Sequence, residues 1–399
     1  MFNRAFLLLR GLIPEKAPLE MFTYQASSGF KKYLPQILGL FDSAQEPLPP
    51  MGETVEFAAL LSQAGTYMWE NGYTKDCRRV MEKTENIINN LENPSLDWER
   101  ADINSTLGIV CTSIGVSHRT EGLERCQRAL AIRQKIESTF APNVPLAVEV
   151  ETVCAIADLA RAYLEDEQFE KTEELMKQCY PHYQRWGTEV QEPWHWSRWY
   201  QHMAYVKTSR GEHVEAVQWA KHAVDLQEQA TGLESSMTQI YRFALAHLLY
   251  HAGDYPQALS HFQTVYKACR HLLGHYNHLT LTSLFAYGML QWINGDVPNA
   301  EQNIGACLHE SKEHLWSPEQ QARAQHYHSK LLRSLGKITD AEKLERSSED
   351  LRAELVAKYP ALLGESQGGD GDLVFDLMVP VGRMRFSGGL HGGRGIDWC

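Results

Sequence analysis

The sequence predicts an all-α fold, a right-handed superhelix (α-solenoid) of about seven helix-turn-helix repeats. Three observations predict it. A residue placed to open the second helix of each repeat recurs as Tyr73, Arg119, Phe169, His213, Tyr255, Val297 and Ile338, at intervals of 46, 50, 44, 42, 42 and 41 residues. Mostly small side chains recur nine residues before it (Ala64, Val110, Ala160, Ala204, Ala246, Gly288, Ser329) and three residues after it (Asp76, Gly122, Thr172, Ala216, Ala258, Ala300, Ala341). Antiparallel helices joined by a short turn approach closely only where the crossing points carry little side-chain volume. Gly115, Gly211, Gly253, Gly295 and Gly336 stand where the first helices should end, and a residue free to take positive φ closes a last turn there. Such repeats bury their apolar faces only against neighbours, so 399 residues imply one elongated domain.

Residues 1–50 read as a linking or capping segment. The apolar run Ala5–Leu9 after Arg4 is cut by Arg10, which makes it too short for an export signal and suits a helix on the first repeat. The repeats fill residues 51–358. In stacked hairpins the first helices line a concave side, with the facing residues about fifteen, twelve, eight and five positions before each opening residue. The third repeat then contributes Cys154, Ala157, Arg161 and Leu164, and the fourth Arg198, Gln201, Tyr205 and Thr208. The fifth gives Ile240, Phe243, His247 and Tyr250 with His251 adjacent, the sixth Thr282, Phe285, Met289 and Trp292, the seventh Arg323, His326, Lys330 and Arg333. The predicted groove is aromatic in the middle and basic at one end, which suits a peptide or protein partner with aromatic or aliphatic anchors and some acidic residues. In the cluster Trp194, Trp196, Trp199 and Tyr200, most rings are expected to pack between repeats, with Trp196 and Arg198 exposed. Beyond Tyr359 the glycine-rich, acidic stretch Gly364–Asp372 reads as a spacer, and residues 359–399 as a largely disordered tail, mobile from 383 onward.

A net charge of −12 argues against nucleic acid as the partner, since no phosphate backbone would be neutralised. No apolar run approaches the 18 residues of a spanning helix, which argues against a membrane one. No phosphate loop occurs, because the Gly336-Lys337 pair lacks the upstream glycine and is followed by Ile338. Neither G-x-S-x-G nor H-E-x-x-H is present, so a non-catalytic chain without a cofactor is expected. Eight cysteines form no C-x-x-C pair, with Cys179 and Cys307 in slots that suit small core residues; free thiols and a cytoplasmic location follow. His247 and His251, four apart, have no third ligand fixed by local spacing, and Cys269, His271, His275 and His278 form a second cluster across a helix end and loop; both read as exposed or groove-lining histidines. Glu165-Asp166-Glu167 and Glu345 through Asp350 read as solvated. A homo-oligomer is left open.

Leu273 through Thr282, with Tyr287-Gly288 and Gly295-Asp296, resembles the long-period tetratricopeptide repeats of kinesin light chain and of fungal NLR-type (NB-ARC) proteins. Lys32 through Pro35, Phe57 through Leu61 and Tyr67 through Tyr73 are similar to the fungal group specifically, and Val374 through Pro380 to the motif that closes its arrays, which is expected to fold back onto the last helix as a cap. The resemblance covers roughly residues 20–358. It implies an interaction scaffold or sensor of fungal signalling, self/non-self recognition or an accessory role in a gene cluster, here without the NTPase domain. The asparagines that hold chaperone tails in some repeats of this kind are replaced by Arg161, Tyr205 and His247, so that partner is not expected. The alternative function is an enzyme or small-molecule binder using Tyr205, His247, Tyr250, His251 and His326.

Overall fold

The computed structural model describes residues 2–13, 24–43, 55–91, 96–310, 316–360 and 371–387. These residues are helical throughout, with no strand among them. After α1 (Phe2–Leu12) and α2 (Tyr24–Ser43) come seven hairpins: α3 (Val55–Glu70) with α4 (Thr74–Leu91), α5 (Asp97–Thr112) with α6 (Val116–Ser138), α7 (Leu146–Glu165) with α8 (Phe169–Trp186), α9 (Pro193–Ser209) with α10 (His213–Thr231), α11 (Ser236–His251) with α12 (Tyr255–Leu273), α13 (His278–Ile293) with α14 (Val297–Glu310), and α15 (Pro318–Ser334) with α16 (Ile338–Lys358). A short α17 (Gly371–Leu377) and a 3₁₀ turn (Val381–Arg383) follow. The fold class is therefore the predicted one, an all-α helical-repeat fold of the α-solenoid type.

Five of the seven expected opening residues, Phe169, His213, Tyr255, Val297 and Ile338, are the first residues of second helices. The small residues around them are core: Ala160, Ala204, Ala246, Ala216, Ala258, Ala300 and Ala341 are all fully buried. The first repeat is one residue out of register. Tyr73 precedes α4, so Cys77 rather than Asp76 takes the buried slot. In the second repeat α6 starts three residues ahead of Arg119, at Val116, whose amide donates to the Met378 carbonyl at 2.9 Å.

The turns have a common chemistry. Tyr73, Gln168, Glu212, Asp254, Asp296 and Lys337 each donate a backbone N–H five residues back, to Met68, Tyr163, Lys207, Leu249, Gln291 and Leu332. The residue before each donor has positive φ, and it is glycine at 72, 211, 253, 295 and 336 and Glu167 at φ 59. This is the closure in which a left-handed residue lets the orphan carbonyls of a helix end be satisfied. Gly115 was expected in this set and is not left-handed; a Cβ there would lie 2.7 Å from Glu319 Cδ, so it is small for close packing instead. A Cβ at Gly253 (φ 81) would meet nothing within 4 Å. Gly253→Ala is accordingly expected to cost only the left-handed penalty, about 1–2 kcal/mol in urea unfolding, whereas Gly115→Ala should also disturb Glu319. Four helices add side-chain N-caps, where Ser235, Asp254, Asn277 and Ser317 accept from the amides of Met237, Gln257, Leu279 and Gln320.

The chain divides into two compact units, one of residues 1–110 with 121–162 and one of 111–120 with 163–399. In the first, Phe30 stacks on Tyr67 at 5.4 Å and Phe57 meets Phe6 edge-on at 6.0 Å. In the second, α9 to α16 pack in sequence, each helix against the next, and α17 lies against α15. Residues 371–387 belong to this second core. Val374, Phe375, Met378, Val379, Val381, Met384 and Phe386 are buried. A disordered tail had been expected over 359–399, but these seventeen residues carry enough apolar surface to fold. Of the expected spacer Gly364–Asp372, residues 364–370, and of the end expected to be mobile, residues 388–399, lie outside the described residues.

Candidate functional site

The second unit gathers its polar and aromatic side chains where α11, α13 and α15 meet residues 371–387. Residues four apart on a helix share a face, and α15 uses that spacing to present Arg323, His326, Tyr327 and Lys330. Lys330 Nζ and His326 Nε2 each reach an Asp372 carboxylate oxygen at 2.6 Å, and the His326 ring stacks on Phe375 at 4.1 Å. One turn on, Asp376 is sealed from solvent. Its Oδ2 accepts from the amides of Phe386 and Ser387, both at 2.7 Å, from Ser387 Oγ at 2.9 Å and from Tyr327 OH at 3.0 Å. Its Oδ1 faces the equally buried Arg323 Nη1 at 3.6 Å. Burial pushes the Asp376 carboxyl above its ordinary range, and Arg323 with the Ser387 and Phe386 amides offsets this only in part.

The rest of the contact is to the backbone of the bound segment. Arg323 donates to the carbonyls of Met384 and Arg383, Tyr250 OH to that of Phe386 at 3.0 Å, and Arg119 Nη2 to that of Leu377 at 3.1 Å. Gly382 N donates to Glu165 Oε2 at 2.8 Å, and Arg385 pairs with Glu167. Phe386 sits among aromatic rings, 5.7 Å from Tyr250, 5.9 Å from Phe285 and 5.9 Å from Tyr327. The acidic turn read as solvated is thus a docking element: Glu165 is buried, and Asp166 pairs with Arg119 at 3.4 Å. No local signal could have shown this, since Glu165 and Gly382 are 217 residues apart.

The predicted groove residues separate into three sets. Tyr250, Phe285, His326 and Lys330 touch residues 371–387 as just described. His247 also reaches the segment, its Nε2 3.5 Å from the Arg385 amide, but it is wholly buried and bonded to Tyr205 OH at 3.2 Å and to His251 Nε2 at 2.8 Å. Phe243 and Met289 are core, Phe243 packing edge-on against Phe262 of the partner helix α12 at 5.1 Å. Arg333 is exposed and pairs with Glu345, and Trp292 is half-buried. Arg161, in the first unit, is half-buried with its guanidinium 5.7 Å from the Trp69 ring. Trp196 and Arg198, expected to be exposed, are buried; Trp196 Nε1 donates to the Gly187 carbonyl at 3.1 Å, which holds the ring inside. Cys77, Cys111, Cys126, Cys154, Cys179, Cys269 and Cys307 are free thiols, all but Cys154 buried.

Residues 236–308 match the family model described as tetratricopeptide repeat. That stretch is a tetratricopeptide-repeat region by this match. The matched stretch is α11 to α14, two of the hairpins that carry the site. No curated protein matches the sequence. Among solved structures, the chain is similar to a Rap protein complexed with Competence and Sporulation Factor, at 14% identity and a TM-score of 0.55, over 90% of this chain and 91% of that one. It is also similar to BtubC (BKLC) from P. vanneervenii, at 16% identity and a TM-score of 0.48 over 59% and 92% of the two chains. A STAND protein with a tetratricopeptide repeat sensor from Pyrococcus horikoshii aligns at 13% identity and a TM-score of 0.45, over 89% of this chain and 49% of that one. Among the described residues no helix is long and apolar enough to cross a membrane.

The buried histidines give the repeats a pH dependence. Burial, then the neighbouring His251 and Arg323, hold His247 well below its ordinary 6.5. Burial holds His251 down to about 4 with the help of His213, and His278 down to about 3 with the help of Arg383. Folded values below the unfolded one mean stability that is complete above pH 6.5 and lost as the pH falls below it, because only the unfolded chain then takes up the proton. His247 alone contributes a slope on the order of 1 kcal/mol per pH unit; His251 and His278, partly exposed, add less. Urea unfolding at pH 7 and pH 5 should differ by about 2 kcal/mol or more in favour of pH 7, and His247→Gln should flatten that difference. Asp372, pushed up by burial but held below its ordinary 3.8 by His326 and Lys330, contributes to this curve only in stronger acid.

Proposed function

We propose that the chain is a non-catalytic scaffold or sensor that holds a peptide or protein segment on the α11, α13 and α15 face of its repeats. One observation carries the reading: this face already holds polypeptide from residues 371–387, with Tyr250 and Arg323 bonding its backbone and His326, Tyr327 and Lys330 its aspartates. Backbone readout with a few aromatic and charged anchors is how repeat surfaces take extended segments. A Rap protein of similar fold was solved in complex with Competence and Sporulation Factor, a second case of this architecture holding a ligand. In keeping with the fungal resemblance, the proposed setting is cytoplasmic signalling, self/non-self recognition or an accessory role in a gene cluster. The groove residues proposed to meet the partner are Tyr250, Phe285, His326 and Lys330, with Trp292 and Arg333 beside them.

The enzyme or small-molecule alternative draws no support from the geometry. Tyr205 and His247 are sealed, and His247 spends both ring nitrogens on Tyr205 and His251. The test is selection of displayed random peptides against the full chain, followed by calorimetry on the selected sequences. Saturable one-to-one binding is expected. Failure to enrich any peptide, together with a small molecule retained in native mass spectrometry, would overturn the reading.

A further inference from the structure

The polar contacts between residues 371–387 and the repeats have the character of a ligand contact rather than a fold contact. All join residues far apart in sequence, and the helices beneath, α11 to α16, already pack against one another in order without the segment. The repeat side chains bond its backbone at Leu377, Gly382, Arg383, Met384 and Phe386. Such contacts are indifferent to side-chain identity. Selectivity then falls on the segment's side chains, of which the carboxylate of Asp376 and the ring of Phe386 are the most enclosed, beside the outer pairs that Asp372 makes with His326 and Lys330 and Arg385 with Glu167. The contact also carries a cost in unsatisfied buried polar atoms, as several places in the helical repeats do. Arg323 Nε, Asp376 Oδ1 and Arg385 Nε are buried without a hydrogen-bond partner, and the Arg323 to Asp376 approach is 3.6 Å with both side chains fully buried. Buried ion pairs of imperfect geometry are often less stable than apolar residues of equal volume, and their best-attested use is to set a register or a switch.

We propose that this face is the partner's own site, that residues 371–387 are its resident ligand, and that the partner is a segment presenting an aspartate or glutamate to Arg323 and Tyr327 and an aromatic ring to Tyr250, Phe285 and Tyr327. This rests on the scaffold reading above and narrows it to one site and one chemistry. The resident segment is tethered to the repeats, so it competes at the high effective concentration that a short connection confers. A partner must outcompete it, and the free site is a gated one.

The experiment uses the full chain with a specific protease site placed between residues 360 and 371, and a fluorescein-labelled peptide of sequence 371–387. Before cleavage the peptide should bind weakly. After cleavage and gel filtration the labelled peptide should bind one-to-one at least tenfold more tightly, because the competitor is no longer tethered. Peptides carrying Asp376→Ala or Phe386→Ala should lose at least tenfold in affinity. If the cleaved tail co-elutes with the repeats and never exchanges with labelled peptide, or if cleavage unfolds the helices, the segment is a permanent part of the fold and the proposal falls. It falls also if the Asp376→Ala peptide binds as well as the parent. Selected peptides that bind but are not displaced by peptide 371–387 would overturn this site while leaving the scaffold reading intact.

Discussion

Asp376→Ala should weaken the hold on residues 371–387 by about 3–5 kcal/mol, the usual cost of removing one member of a buried, hydrogen-bonded charge pair. The size follows from what is left behind. Arg323 stays fully buried with its counter-charge gone, and the amides of Phe386 and Ser387 and the hydroxyls of Ser387 and Tyr327 lose one shared acceptor. The direct reading is hydrogen exchange at the Phe386 and Ser387 amides, which should speed up by roughly two to four orders of magnitude. Urea unfolding of the whole second unit should fall by that amount or less, because the loss cannot exceed the docking free energy itself. Asp376→Asn can keep the acceptor for the four donors only by pointing its NH2 at the Arg323 guanidinium, so it should also be costly. Replacing both members, Arg323→Met with Asp376→Leu, should recover only the part due to the stranded Arg323 charge, since the four donors stay without an acceptor and the carbonyls of Met384 and Arg383 lose their donor. Exchange at Phe386 and Ser387 that is unchanged by Asp376→Ala would show that the carboxylate holds nothing.

Much of this architecture was legible in the sequence because its determinants are local. A left-handed residue, the five-back hydrogen bond it permits and the small residues three positions into the next helix all lie within a dozen residues of one another. Where the pattern slipped, a distant contact was responsible: α6 begins at Val116 because its amide meets the Met378 carbonyl, and Arg119 is drawn to Leu377 and Asp166. The site was half legible. Tyr250, Phe285, His326 and Lys330 could be placed by repeat spacing, since the same helix face recurs in each hairpin. Their occupant could be read only as a closing motif over Val374–Pro380 folded onto the last helix, not as a segment lying on this face. The glycines and aspartates ahead of Val374 look like a linker by composition, and nothing local says that Asp376 will find Arg323 or that Glu165 will find Gly382. Periodicity fixes which way a repeat faces, and long-range pairing decides what lies on it.

Periodicity also made Phe243, Phe285 and Trp292 look alike, and the structure separates them by what each touches. Phe285 is fully buried among the rings of Trp316 at 6.0 Å, Tyr327 at 6.3 Å and Phe386 at 5.9 Å, with the Arg323 guanidinium 5.0 Å from its centroid. Phe285→Ala should therefore cost about 3–5 kcal/mol of folding free energy in the second unit, by lost burial and by the cavity left under α15. Phe243→Ala, which removes the edge-on contact with Phe262, should fall in the same range. Trp292, half-buried, should cost about 1 kcal/mol or less when cut to alanine. A thermal melt of the three single variants ranks them, and the labelled 371–387 peptide on cleaved protein reads their second role. Phe285 has a ring contact to the segment and Phe243 packs on Phe262, so Phe285→Ala should lose peptide affinity per folded molecule while Phe243→Ala keeps it. If Phe285→Ala melts like the parent chain and only the peptide is lost, the ring is a surface anchor with no part in the core; if it melts early and binds peptide normally, Phe386 does not depend on it and the aromatic pocket is formed by Tyr250 and Tyr327 alone.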